Sequence, residues 1–374
     1  MIKILPKLLY VSDATLFSES ANSIQIFQVT QSLTKYFDVT LVTERLENGQ
    51  AEKSLDRFYG FRPLFCLRFF WRGGYLIKGI QILLHVLFCQ YDVVVSRNPI
   101  YVFLFSLIGK QIIYECHQNP VTTGVKFSRI LKSLNVLNFA NVSVICINNY
   151  GKLQMQSEYL LQRPPYVLHD AVDARRFALI KPFEQFLQER KGRLSCAYIG
   201  SFNTGKGLEL IAEFAAMIPS INFHLYGGPA TKIEVLDLPS NVFYEGFVEH
   251  ASIPETISQH GILLVPYGDK VFSRGDYSNI TNWMSPLKIF EYCSQERVII
   301  ASDIPAVREI LTDGENALLV PPTADKWVAA ITDVVKDPAS YSSYAAGALS
   351  VAANNTWDMR AKRMWEIWQM RSTA

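Results

Sequence analysis

A lysine set between glycines at the end of an apolar run is the first feature able to do chemistry. The run closing on Tyr198-Ile199-Gly200 continues as Ser201-Phe202-Asn203-Thr204-Gly205-Lys206-Gly207 and then becomes helix-like. Glycines let backbone approach a phosphate closely, the start of the following helix offers free N–H groups and a positive dipole, and Lys206 adds a point charge. A diphosphate fits such a turn. Taken alone, the segment also reads as an ordinary glycine-containing strand-to-helix turn with a solvated lysine, and it is not a Walker A motif.

A second segment, Ser285-Pro286-Leu287-Lys288-Ile289-Phe290-Glu291-Tyr292, follows a polar, aromatic loop from Gly268 to Met284. Proline suits a first helical turn and serine an N-cap, so Ser285 is expected to cap a helix that opens with Pro286. Its unpaired N–H groups would then receive phosphate or sugar oxygens. Glu291, one to two turns further on, has two acceptor oxygens that can take adjacent ribose hydroxyls. Capped helices with an exposed glutamate are common, so this segment too is ambiguous by itself.

The elements that must position these residues alternate between short apolar runs and helix-period segments, the pattern of parallel α/β architecture. In the first half the spacing predicts strands at Lys7-Val11, Asp38-Val42, Asp92-Ser96, Gln111-Glu115 and Val142-Ile147, with helices over Ile24-Lys35, Leu76-Cys89 and Lys126-Leu137. In the second half it predicts strands near Leu194-Ile199, Asn222-Tyr226, Val242-Tyr244, Ile262-Val265 and Val298-Ala301, with helices near Leu208-Met217, Ile253-Gln259 and Pro286-Ser294. Both halves read as Rossmann-like, doubly wound parallel sheets with no sequence repeat between them. The periodicity breaks around Leu168-Phe177, which sets expected domains at 1–170 and 171–355. The remaining 356–374 carries Trp357, Met364, Ile367 and Trp368 at helical spacing, and is expected to be an amphipathic helix packing back on the N-terminal domain.

The two chemical segments together resemble the family-4 glycosyltransferases, in a branch that shares a strand-GS-x-x-x-G-K-G-helix segment and an SPLK-x-F-E-Y segment about 80 residues later. A strand and an aspartate-proline turn follow, here Val298-Ile299-Ile300-Ala301-Ser302-Asp303-Ile304-Pro305, then Val307-Arg308-Glu309-Ile310 and Asp313-Gly314-Glu315-Asn316. Upstream, Tyr114-Glu115-Cys116-His117 resembles the strand end that carries the family's E-x-H, Ala21-Asn22-Ser23-Ile24 resembles an early cleft loop, and His169-Asp170-Ala171-Val172-Asp173 resembles the opening of the C-terminal domain.

The resemblance implies a GT-B fold, two Rossmann-like domains facing a central cleft, and a retaining, metal-independent sugar transfer. It implies that Lys206 meets the donor pyrophosphate and Glu291 the nucleoside ribose, with His117 near the donor sugar. Gly200, Ser201, Gly205, Gly207, Ser285, Pro286, Leu287 and Lys288 would line the donor phosphates and sugar, Gly227, Gly228, Phe247 and Val248 would lie near the nucleotide, and Asn22 and Ser23 would serve the acceptor. Two positions depart from the family pattern. Ser201 stands where a second phosphate-binding arginine is usual, and Trp283 where a glutamate eight positions before the ribose-binding one reaches the sugar. The sugar identity is therefore open.

At 374 residues with 36 Lys+Arg against 34 Asp+Glu, the chain suits two domains and is not expected to bind nucleic acid. The six scattered cysteines have no CxxC spacing and read as buried, reduced thiols of a cytoplasmic protein. The basic and apolar start soon meets Asp13 and reads as a first strand rather than a signal peptide. There is no convincing DxD-like pair and no His/Cys cluster with ligand spacing, so neither metal nor cofactor is expected. The expected partners are a nucleotide diphosphate sugar and a glycan or lipid-linked acceptor. From Lys53 to Lys78 the cations Lys53, Arg57, Arg62, Arg68, Arg72 and Lys78 alternate with Phe58, Tyr59, Phe61, Phe65, Phe69, Phe70, Trp71 and Tyr75. That mixture fits an anionic membrane surface on the inner face of the cell membrane, or else aromatics serving the core beneath solvated charges.

Overall fold

The structure is a computed structural model that describes residues 4–18, 20–44, 55–71, 73–120, 125–191, 193–272 and 279–372. Two compact units emerge, one of Met1–Asp170 together with Trp357–Ala374, the other of Ala171–Thr356.

The first unit is built on seven parallel strands: β1 Lys7–Thr15, β2 Asp38–Glu44, β3 Cys66–Phe69, β4 Val93–Ser96, β5 Gln111–Cys116, β6 Val142–Cys146 and β7 Tyr166–Val167. Their order is β3-β2-β1-β4-β5-β6-β7. Leu8, Leu9, Tyr10 and Val11 are wholly buried, as an unbroken apolar run must be when helices cover both faces of a parallel sheet. Leu8 pairs with Val39 on one side and Val93 on the other, which fixes the register at the centre of the sheet.

The second unit has six parallel strands: β8 Cys196–Ser201, β9 Phe223–Gly228, β10 Val242–Gly246, β11 Ile262–Val265, β12 Val298–Ser302 and β13 Leu318–Val320, in the order β10-β9-β8-β11-β12-β13. Both sheets therefore reverse strand order beside their first strand, between β1 and β4 and between β8 and β11. Ligands of open parallel sheets bind outside the carboxyl ends of strands at such a reversal. Two doubly wound parallel sheets are the fold expected from the sequence.

The differences have physical causes. β3, β7 and β13 went unpredicted because they are short, and β3 sits at the sheet edge with alternate residues exposed, so no buried apolar run marks it. The helix Leu287–Cys293 begins one residue later than expected, with Pro286 as N-cap and no side-chain cap, so Ser285 lies outside the helix rather than capping it. Cys66 is exposed in the edge strand and Cys89 is half-buried, whereas Cys116, Cys146, Cys196 and Cys293 are buried as expected.

Within the first unit, the helix Trp357–Ser372 lies along the helix Ala21–Leu33. Trp357, Met364 and Ile367 are buried, Trp368 is half-buried, and Trp365 stacks on Tyr36 with centroids 5.4 Å apart. Lys35 and Asp358 close the contact with an ion pair.

Candidate functional site

The loop that follows β8 is shaped by its glycines. Gly205 and Gly207 have φ +80° and +90°, and an added Cβ would stand 1.7 Å from the Lys270 carbonyl oxygen at the first and 1.8 Å from the Pro266 oxygen at the second. No L side chain fits there, so these two residues press the loop against the segment that leaves β11, at the strand-order reversal. Gly268 N donates to Gly205 O at 3.0 Å and Phe272 N to Thr204 O at 3.1 Å, fastening the same contact. The helix Leu208–Met217 then starts from Gly207 with no side-chain cap, leaving its first N–H groups for solvent or a ligand.

Lys206 sits at the centre of this arrangement. Its side chain is half-buried, and Nζ lies 4.5 Å from the centroid of the Tyr267 ring. Burial pushes its ammonium pKa down to about 8. Lys288, from the first turn of the helix Leu287–Cys293, reaches the same place: Nζ lies 3.6 Å from the Tyr198 centroid and 5.5 Å from that of Tyr267. That atom is buried with no hydrogen-bond partner among the described residues. Burial, reinforced by Lys206 and opposed by Glu291, holds it well below the usual lysine range.

Glu291 is buried, 8% exposed, and Oε1 lies 2.8 Å from His250 Nε2. His250 belongs to the turn that follows β10, just beyond Phe247 and Val248. Tyr292 fixes the same helix to β8, its hydroxyl accepting from Ile199 N at 2.7 Å. Gly227 packs on Gly200, since an added Cβ would be 1.8 Å from the Gly200 oxygen, and Gly227 O accepts from the Tyr244 hydroxyl at 3.1 Å.

In the second unit, then, the structure brings Gly200, Gly205, Lys206, Gly207, Gly227 and Lys288 together around Tyr198 and Tyr267, and joins Glu291 to His250. Ser201 is exposed, and Gly228 ends β9 before a cis peptide bond to Pro229. Phe247 is 57% exposed, Val248 is half-buried, Ser285 is buried, and Pro286 and Leu287 are half-buried at the helix start. Trp283 ends the 3-10 turn Thr281–Trp283. Part of the loop between Gly268 and Met284, residues 273–278, lies outside the described residues. Sequence reasoning missed Tyr198, Tyr267 and His250. Tyr267, set after a buried strand and before Gly268, carried a weak signal, whereas His250 carried none.

The first unit holds a separate polar cluster. Glu115 is fully buried at the end of β5 and accepts from the Tyr10 hydroxyl, from Arg360 Nη2 at 2.7 Å and from Arg97 Nε at 3.3 Å. Burial raises its pKa, but Arg97, Arg360, His117 and Tyr10 outweigh that and hold it well below the carboxylate range. Arg97 also donates to Asn22 Oδ1 at 2.6 Å and Gln25 Oε1 at 3.0 Å, and Gln25 donates to the buried Asp170 at 2.6 Å. His117 stands beside this cluster with Nε2 buried and without a partner among the described residues. Burial first, then Arg97 and Arg360, keep it neutral by holding its pKa well below the histidine range. Ser23 is buried with its hydroxyl engaged by Thr15 O at 2.9 Å and the Tyr59 hydroxyl at 3.0 Å, while Asn22 is exposed.

A glycine loop, two lysines and an acid–histidine pair on one doubly wound sheet can hold a diphosphate and a hydroxylated partner. Residues 193–337 match the family model described as "Glycosyl transferases group 1". No curated protein matches the chain. Among solved structures, sucrose-phosphate synthase from Thermosynechococcus elongatus is 15% identical with a TM-score of 0.74, covering 98% of this chain and 100% of that one. HepE of Anabaena, solved with UDP and glucose, is 13% identical with a TM-score of 0.70 over 98% of this chain and 100% of its own. WaaG, a glycosyltransferase involved in lipopolysaccharide biosynthesis, is 12% identical with a TM-score of 0.63 over 96% and 99%. These likenesses establish the GT-B fold class, and with the family match they support a glycosyltransferase.

Proposed function

We propose that the chain is a retaining, metal-independent glycosyltransferase of the hexosyltransferase kind. It moves a sugar from a nucleotide diphosphate sugar to a glycan or lipid-linked acceptor in cell-surface polysaccharide synthesis. The observation that carries this reading is the meeting of Lys206, an uncapped helix start and Lys288 at the strand-order reversal of the unit that matches the transferase family.

Breaking the bond from sugar to diphosphate leaves negative charge on the departing phosphate while the sugar becomes oxocarbenium-like. Fixed cations and N–H dipoles in a partly dry site lower that barrier. Lys206 and the first turn of Leu208–Met217 do so here, with Glu291 holding the ribose hydroxyls and His250 holding Glu291. Retention follows from same-face attack, the leaving phosphate taking the acceptor's proton. His117, as a neutral imidazole, can hydrogen-bond a substrate hydroxyl but offers it no charge. Asn22, oriented by Arg97, serves the acceptor, and the donor-binding and acceptor-binding roles fall to the second and first units respectively.

Membrane attachment at the cytoplasmic face draws support from a different surface than the sequence indicated. Tyr59, Phe65 and Phe70 are buried, and Phe17, Phe27, Phe58, Tyr59 and Phe61 pack ring on ring, so most aromatics of the basic stretch serve the core. Lys53 and Arg72 lie outside the described residues, as do the side chains of Arg57 and Tyr75. The next helix, Tyr75–Cys89, instead exposes Ile77, Ile80, Leu84, Leu87 and Phe88, spaced three and four apart on one face, with Trp71 just before it. Such a stripe, with Arg68 exposed and its charge acting on His85 of the same helix, suits the headgroup region of an anionic bilayer. Among the described residues no helix is long and apolar enough to cross a membrane.

Calorimetry with a panel of nucleotide diphosphate sugars, followed by turnover with the tightest binder and NMR of the product anomer, tests the proposal. One donor consumed with retention is expected. Ser201 and Trp283 favour a second reading, a binding protein on a decayed GT-B frame, which binding without transfer or donor hydrolysis would select.

A further inference from the structure

The donor-site reading uses the position of Lys288 but not the charge on its amine. It is buried without an acceptor, against two tyrosine rings, and beside a lysine that carries its own charge. A lone ammonium in that position loses its hydration and gains no hydrogen-bond acceptor, a cost that a neutral amine avoids. The faces of Tyr198 and Tyr267 offset part of that cost, and the charged and titratable groups around it do not supply the rest. Tyr198, Tyr267 and Tyr292 are all raised by burial and stay neutral phenols. Glu291, one helical turn on, is the carboxylate whose charge acts on it, but its Oε1 is engaged by His250 and its charge also acts on Arg176. Glu209 acts on the cluster only through Tyr198.

Position adds to the argument. A Cβ at Gly200 would lie 2.6 Å from Lys288 Nζ, so the amine lies against the backbone of the loop that carries Lys206, where a side chain at Gly200 would displace it. It arrives from the far side of the strand-order reversal, in a chain whose loop has Ser201 in place of a second cation.

Resting on the donor-site reading, we propose that Lys288 is the second cation of the phosphate site and is uncharged until a diphosphate arrives, so that nucleoside diphosphate binding draws a proton from solvent. The incoming oxygens supply the acceptor that the empty site lacks, and the proton from bulk water converts the amine to an ammonium facing them. No bond other than N–H forms.

The test is calorimetry of UDP, GDP, ADP and CDP in HEPES and in Tris, whose ionisation enthalpies differ. Near pH 7 Lys206 is still charged and the terminal phosphate is mostly ionised, so neither obscures the result. The wild-type protein should show uptake of about one proton per diphosphate bound. Lys288→Met should bind about tenfold or more weakly and without proton uptake, and Lys288→Arg, permanently charged, should bind without uptake. Binding with no buffer dependence in the wild type overturns the proposal, a result that needs no variant to fold. Uptake that persists in a folded Lys288→Met protein overturns it as well. If no diphosphate binds the wild type, the donor-site reading itself falls, and this proposal with it.

Discussion

Glu291 Oε1 and His250 Nε2 lie 2.8 Å apart, joining the helix after the SPLK segment to the turn that leaves β10. The carboxylate proposed to hold a ribose is thus already aimed by a second side chain, leaving its other oxygen for a ligand. His250 is a positioning residue in this account. His250→Phe should weaken nucleoside diphosphate binding by about tenfold while leaving inorganic pyrophosphate binding unchanged, because charge-assisted hydrogen bonds of this kind contribute roughly 1.5–3 kcal/mol. Competition calorimetry with the two ligands checks it, and an equal loss for both would argue for a merely structural role.

The pH dependence of binding separates the two lysines. In the Lys288→Met protein the remaining titration belongs to Lys206, whose ordinary value of 10.5 is lowered to about 8. The phosphate prefers the charged form, so affinity should hold steady to about pH 7 and fall as the pH rises through about 8, by about tenfold at pH 9. In the wild type the fall should begin earlier and steepen above about pH 8. Affinity measured from about pH 6 to 9.5 distinguishes the profiles.

Glu115 should be a large contributor to the stability of the first unit. Glu115→Leu leaves the buried guanidinium groups of Arg97 and Arg360 without their carboxylate, a loss of about 3–5 kcal/mol. Its pKa in the folded protein lies below the ordinary value of 4.5, so the contribution is present above that value and is lost as the pH falls further. Thermal unfolding at pH 7 should therefore show a deep destabilisation by Glu115→Leu, and the difference from wild type should shrink in strong acid.

Gly207→Ala should disable the phosphate loop. The added methyl would meet the Pro266 oxygen at 1.8 Å in a left-handed conformation. The strain should cost about 1–3 kcal/mol and abolish measurable diphosphate binding, with the circular dichroism of both sheets retained. Preserved affinity would show that the loop is not a phosphate cradle.

How much of this was legible in the sequence differs from element to element. The long buried strands were, because Leu8 to Val11 and Ile262 to Val265 are uninterrupted apolar runs. The tight turn after β8 was, because Gly205-Lys206-Gly207 marks a close backbone approach locally. β3 was not, since Arg68 and the exposed Cys66 sit in an edge strand that buries little. The pairing of Glu115 with Arg360 spans 245 positions and is made by tertiary packing alone. His250 and Tyr267 gain their meaning only when β10 and β11 bring them beside helices and loops distant in the chain. Ser285 was misread because Pro286 has the extended backbone of a cap, φ −70° and ψ 118°, and so takes the cap position itself.

The most direct test of the donor site is the affinity of the best-binding nucleotide diphosphate sugar for Lys206→Ala and for Glu291→Ala. Each should bind about tenfold or more weakly than the wild type, Lys206→Ala through the phosphates and Glu291→Ala through the nucleoside. Unchanged affinity in both would contradict the site.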